Sequence, residues 1–370
     1  MLERNTIMYR VIYFIFFFAV TFSAYAQSCF LAKVDNLRVR NEPGLSSQTI
    51  FMLEEGSIIE STGPISVIKE EVELRGIIYR APFYQIRFAD NRKGWVYGAA
   101  IQQISEFNLS KDTRMLLSKF YKYLLQLGRQ SLENGGKAYD YFNDQSVGLN
   151  EIETTAMSII LESYMIELSE ELYDLLSDLP YPDMSIEAFL KSDEPMFQKL
   201  RRNGMKPVAM EGSFYPEIDY QYLKDKVGSK VTMAYLHYVN RIISDKLIPL
   251  ESDGGIVIPI EDVAVRAMKW KEFNDKFPNF PLKVKCDAIE KHLKLLVLTG
   301  MDNTPAFNWE GKVEENFHDA WQKIIRKYSN DEFTKDLIAY TLIIKDNSGM
   351  KSSKLETILK KYFTDYMLFY

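Results

Sequence analysis

At 370 residues the chain is too long for one small module and comfortable for two domains. A hydrophobic content of 46% excludes a disordered chain, and a formal charge of −6 lacks the basic footprint that nucleic acid requires, so no nucleic-acid partner is expected.

The amino-terminal residues predict export. Arg4 and Arg10 supply positive charge, Val11 to Phe22 is an uninterrupted apolar run, and Ala24-Tyr25-Ala26 places small residues where signal peptidase reads them. The run is short for a bilayer span, and no later stretch reaches that length. Residues 1–26 therefore read as a signal peptide cleaved after Ala26, followed by a periplasmic or extracellular chain with no transmembrane segment. Cys29 lies just past the cut and opens a second route, lipoprotein anchoring, although Gln27 fits a lipidation signal poorly. An oxidising compartment also allows a Cys29–Cys286 disulfide, against which stands a buried, unpaired Cys286.

From Leu31 to Ile104 short apolar stretches alternate with turn residues: Asn41-Glu42-Pro43-Gly44, Glu55-Gly56-Ser57, Thr62-Gly63-Pro64 and Asp90-Asn91. Phe83 to Phe88 is rich in aromatic and β-branched residues, as a half-buried strand requires. Leu37-Arg38-Val39-Arg40 is followed by a polar loop, Ile50-Phe51-Met52-Leu53, Glu55-Gly56, Ser57-Ile58-Ile59-Glu60, Phe83-Tyr84-Gln85-Ile86 and a closing Gly94-Trp95-Val96-Tyr97. In that order these pieces resemble a bacterial SH3-like domain over residues 31–104, with an unusually long Ile65–Pro82 insertion expected to form an extended hairpin. The resemblance implies a small β-barrel that binds a cell-wall peptide or an envelope protein. Tyr84, Trp95 and Tyr97 are the candidate ligand-binding residues, because flat amphipathic rings give contact area at low entropic cost.

Helical periodicity takes over after Asn108-Leu109-Ser110. Apolar stripes run through Leu116, Phe120, Tyr123, Leu124 and Leu127, then through Leu161, Tyr164, Met165, Leu168, Leu172, Leu175, Leu176 and Leu179. Further stripes are Val231, Ala234, Tyr235, Tyr238, Val239 and Ile242, and Val313, Phe317, Ala320, Trp321, Ile324 and Tyr328. Ser353 and Glu356 form a predicted capping box before Leu355, Ile358, Leu359, Tyr362, Phe363, Tyr366 and Met367. Gly135-Gly136, Pro180-Tyr181-Pro182, Pro216, Asp253-Gly254-Gly255 and Asn347-Ser348-Gly349 separate them. The fold class expected is multi-domain α and β: a small SH3-like β-barrel at 31–104, then an all-helical domain at 107–370, the two separable across Ser105 to Ser110.

Chemistry-bearing motifs are sparse. His237, His292 and His318 stand far apart, and no His-Glu-x-x-His, Cys-x-x-Cys, Gly-x-Ser-x-Gly or Walker-type loop is present, so neither a metal nor a cofactor is expected. His237, between Leu236 and Tyr238, reads as a helix-packing residue. Cys286 lacks the sequence context of the cell-wall cysteine peptidases that often carry SH3-like domains. Met210-Glu211-Gly212-Ser213-Phe214-Tyr215-Pro216 loosely resembles the acid/base segment of lytic transglycosylases, where an apolar setting raises the pKa of the glutamic acid. Gly212 replaces the serine of that segment and no Gly-x-x-Gly-Leu-Met-Gln follows, so the plainer expectation is a helix N-terminal loop with Glu211, Glu217 and Asp219 near the dipole. The acidic run Glu167, Glu170, Glu171, Asp174 and Asp178 reads as a solvated helix face. The chain is thus expected to be an exported envelope-binding protein, with a peptidoglycan glycosidase using Glu211 as the alternative.

Overall fold

The computed structural model describes residues 28–88, 91–177, 179, 184–210 and 212–363. The signal sequence and Ala24-Tyr25-Ala26, Asp178, Glu211, Tyr366 and Met367 lie outside the described residues.

Seven antiparallel strands form the first region: β1 (Cys29–Ala32), β2 (Leu37–Arg40), β3 (Thr49–Leu53), β4 (Ile58–Leu74), β5 (Ile77–Arg87), β6 (Lys93–Tyr97) and β7 (Ile101–Ser105). Their order is β3-β2-β6-β5-β4-β1-β7. The sheet curls into a half-barrel with β3 and β7 as its two edges, rather than closing as the expected barrel would. Gly94 belongs where β2 crosses β6, since a Cβ there would meet Val39 Cγ1 at 2.5 Å. Arg40, the last residue of Leu-Arg-Val-Arg, is buried and donates from Nη1 to the Ser47 carbonyl at 2.5 Å, which holds the polar loop against the sheet. The insertion does form an extended hairpin. Its register runs from Glu60↔Arg87 to Leu74↔Ile77, with irregularities between Ser61 and Lys69.

The second region is helical: α1 (Lys111–Leu127), α2 (Glu133–Gln145), α3 (Glu151–Glu171), α4 (Ile186–Leu190), α5 (Pro195–Arg202), α6 (Tyr220–Val227), α7 (Met233–Leu247), α8 (Ile260–Lys276), α9 (Lys283–Thr299), α10 (Glu315–Lys327), α11 (Glu332–Asp346) and α12 (Glu356–Leu359). Side-chain caps mark the starts. Ser110 accepts from the Thr113 amide, Asn150 and Glu153 form a capping box on α3, and Thr232 accepts from the Tyr235 amide.

This region is not all-helical. β8 (Met205–Met210) pairs with β9 (Ser213–Ile218), β10 (Glu251–Ser252) with β11 (Gly255–Ile256), and β12 (Gly300–Met301) with β13 (Thr304–Pro305). The last two hairpins are two residues per strand, too short for a period-2 signal. At the C-terminal end, Ser352 rather than Ser353 caps, accepting from the Lys354 amide, and a 3-10 turn precedes a single α-turn in place of the long helix expected.

Helix α3 is the centre of the packing. It buries residues on all sides, from Thr154 round to Ser169, which explains why its apolar stretch is nearly continuous. The sheet and helices also share a core. Cys29 and Leu31 of β1 and Ile104 of β7 are buried in the same cluster as Phe120, Leu124 and Leu168. The texture change at Ser105–Ser110 therefore coincides with a packed seam, not with a sparse linker. Ion pairs flank it: Lys33 to Glu167 at 2.6 Å, Arg129 to Glu167, Arg114 to Glu60, and Lys122 to Glu54 at 3.1 Å. Glu167 is therefore a seam anchor, not part of a solvated face, because Lys33, just past β1, and Arg129, just past α1, both reach it.

Candidate functional site

The sheet places the three candidate aromatics apart. Opposed residues share a face, and the register sets Phe83 against Tyr97, Tyr84 against Val96 and Gln85 against Trp95. Trp95 and Tyr97 therefore lie on one face and Tyr84 on the other. Tyr97 is buried, and its hydroxyl accepts from the Ala81 amide at 3.2 Å while its proton faces the Tyr79 and Glu70 carbonyls at 2.7 and 2.8 Å. That hydroxyl tethers the long hairpin. Tyr84 packs its ring on Phe30, with centroids 5.3 Å apart, and burial pushes its hydroxyl pKa up. Trp95 is half-buried opposite Arg40.

The exposed apolar groups lie on the edge strand instead. In β3, Ile50 is 37% exposed, Phe51 47% and Met52 51%, and no other strand among the described residues pairs with its outer side. Phe51 meets Phe88 edge-on at 5.3 Å, and the Arg92 guanidinium lies 5.7 Å over the Phe88 ring. Arg38, exposed, stands opposite Met52. Edge strands are ordinarily blunted by charge, proline or a bulge, because their free N–H and C=O groups template pairing. This one carries three consecutive exposed apolar side chains with cations beside them. The sequence signal was Ile50 to Leu53, an apolar run lacking the alternation of a half-buried strand.

The thiols are buried and unreactive. Cys29 and Cys286 are both free, and burial raises the pKa of each. A lipid on Cys29 would have to draw the side chain out of the shared core. The candidate acid Glu211 lies outside the described residues, but the strands on either side form a hairpin, not the expected helix N-terminal loop. Glu217 sits on β9 and pairs with Lys206 at 3.3 Å and with Lys246, whereas Asp219 caps α6 by accepting from the Gln221 and Tyr222 amides. His237 is exposed beside the Phe277 ring rather than packed in the helix core, His292 is half-buried with its pKa lowered by burial, and His318 is exposed. Among the described residues no group of three His, Cys, Asp or Glu side chains is placed to hold a metal ion.

One buried polar centre was not anticipated. Glu162 of α3 is 2% exposed and accepts from the hydroxyls of Tyr220 at 3.0 Å, Tyr235 at 3.0 Å and Tyr238 at 2.6 Å, with Lys285 Nζ at 3.4 Å. Burial, and then the Glu162 charge, raise the pKa of all three tyrosines well above the usual value. The centre ties α3 to α6, α7 and α9 and is closed to solvent, so its geometry is that of a structural joint. Its signal was a single glutamate inside Ala156–Ile166, with Tyr235 and Tyr238 one turn apart.

Compared with known proteins, the chain matches no family model, no curated protein and no solved structure.

Proposed function

We propose that the protein is an exported cell-envelope interaction protein whose SH3-like β region recognises an extended acidic peptide, drawn from the cell wall or from an envelope protein. The observation that carries this reading is the β3 edge, where unpaired backbone groups run beside exposed Ile50, Phe51 and Met52 and beside Arg38 and Arg92. A strand added to that edge gains main-chain hydrogen bonds, buries the apolar side chains and offers a carboxylate to the Arg38 guanidinium. Export rests on the N-terminal sequence pattern, and recognition by a β module on the ordered series from Leu37 to Tyr97. No helix among the described residues is long and apolar enough to cross a membrane.

The test is co-sedimentation of the full chain with isolated cell wall, run beside titration with a soluble acidic peptide. Retention should be lost in the double variant Phe51→Ser, Met52→Ser, whose melt should match wild type. Retention by the wall alone identifies a wall peptide as the source, and capture of the soluble peptide identifies a protein segment. Equal retention of wild type and variant overturns the β3 assignment. N-terminal sequencing of the envelope fraction should begin at Gln27, whereas a lipidated Cys29 at the first position would establish anchoring instead.

A further inference from the structure

A groove of about 660 Å³ lies across the seam, between Ile58 at the start of β4 and a face of α1, with Tyr141 of α2 also lining it. Its wall is a single helix face on which Lys111, Met115, Ser118, Lys122 and Gln126 recur at helical spacing, with Arg114 and Lys119 alongside. The floor is aromatic. Tyr123 and Tyr141 stand with ring centroids 3.9 Å apart, and Tyr141 stacks on buried Phe120 at 5.7 Å and 8°. Neither tyrosine hydroxyl has a hydrogen-bond partner among the described residues.

Four cations on one helix face are unexpected in a chain of charge −6. Arg114 is answered by Glu60 of β4 and Lys122 by Glu54 of the β3–β4 turn. Lys111 and Lys119 are exposed and have no acidic partner among the described residues. They are two helical turns apart, about 12 Å along the axis. The first turn of α1 carries Asp112 between Lys111 and Arg114, and with Arg114 held by Glu60 the unanswered charges of the groove are Lys111 and Lys119. Two cations without an acidic partner, hydroxyl and amide groups from Ser118 and Gln126, and the flat rings of Tyr123 and Tyr141 together specify a ligand.

We propose that this groove binds a carboxylate-bearing oligosaccharide. Widely spaced negative charges on the ligand suit two free ammonium groups separated by Ser118 and Gln126. Sugar hydroxyls suit those polar groups and the tyrosine hydroxyls, and a pyranose face suits the Tyr123–Tyr141 floor. A nucleic acid fits less well, because its regular run of phosphates calls for more unpaired cations than the groove presents. The site is independent of the β3 edge and stands or falls without it.

The experiment is calorimetric titration of the full chain with an oligogalacturonate, with its fully methyl-esterified form, and with a single-stranded oligonucleotide of similar length, at low and high salt. The acid form should bind. Affinity should fall at least tenfold on esterification, and at least tenfold in the double variant Lys111→Gln, Lys119→Gln, and it should weaken as salt rises. Both lysines are exposed, so the variant should keep the wild-type melt. Tyr123→Phe, which keeps the ring, should retain binding within a few-fold. No binding of the acid form overturns the proposal, as do equal binding of the ester, indifference to the double variant, or tighter binding of the oligonucleotide.

Discussion

In the helical region Tyr220, Tyr235 and Tyr238 turn their hydroxyls onto one buried carboxylate, while in the sheet Tyr97 gives its hydroxyl to backbone and Phe51, Met52 and Val67 face solvent. Val67, 99% exposed on the irregular stretch of β4, extends the same contrast. The helices are large enough to enclose a charge and satisfy it from several elements at once. The thin curled sheet has backbone as its nearest partner and too little depth to hide every apolar group. The difference teaches where recognition is to be sought: the buried polar centre of the helices is locked inward, and the surfaces left unfinished are the sheet edge and the seam where α1 meets the sheet.

The sharpest way to break this comparison is to remove the carboxylate. Glu162→Ala should lower unfolding free energy by about 3–5 kcal/mol in a urea melt, because three buried hydroxyls and Lys285 lose their common partner. A change below about 1 kcal/mol would show that the cage is dispensable. Next comes the shared core. Ile104→Ala should cost about 2–4 kcal/mol, and should lower a single transition followed by probes in both regions. Two separate transitions, with only one shifted, would restore the two-domain division at Ser105–Ser110. Tyr97→Phe should cost about 1–3 kcal/mol by orphaning the Ala81 amide, and protease should then cut the β4–β5 hairpin first.

A smaller effect is expected from acid. Burial raises the Glu167 carboxyl, but Lys33 and Arg129 outweigh it and hold that carboxyl below the usual glutamate range. A depressed acid contributes stability that is complete above its unfolded value, about pH 4.3, and is lost as pH falls through the folded one. Stability measured across that window should therefore fall, and Glu167→Gln should remove part of the fall. Superimposable profiles would exclude the seam pair as a source of the acid response. Smallest of all, the double variant Phe51→Ser, Met52→Ser should alter stability within about 0.5 kcal/mol, since neither side chain is buried.

Much of the sheet was legible because its punctuation is chemical. Leu37–Arg40 and Gly94–Tyr97 lie on strands where alternation and glycine placed them, and Ser110 starts α1 because its hydroxyl reaches the Thr113 amide. The α7 stripe from Ala234 to Ile242 is buried as its spacing required. What periodicity cannot convey is which residues meet across the chain. The β4–β5 insertion hides its register in irregularities, so nothing local shows that Tyr97 captures its backbone. Glu167 looked solvent-facing on its own helix because Lys33, its partner, is 134 positions away. The candidate site was legible only as a β region. Ligand contact was assigned to its rings by type, whereas the edge position of β3, which exposes Phe51 and Met52, follows from strand order.

Strand β1 has neighbours on both sides that come later in the chain, with Cys29 opposite Glu60 on one side and Ser105 on the other. The β4–β5 hairpin is local and can form within microseconds, but the sheet is completed only after the loop from residue 29 to residue 105 has closed. Burial of Cys29 further requires the start of α1 to dock, because its thiol lies against the Leu109 backbone and close to Arg114. The first described strand of the chain is thus among the last to be sealed. During refolding Cys29 should remain open to alkylation after hairpin signals are complete, and its protection marks the moment at which the amino-terminal strand is captured.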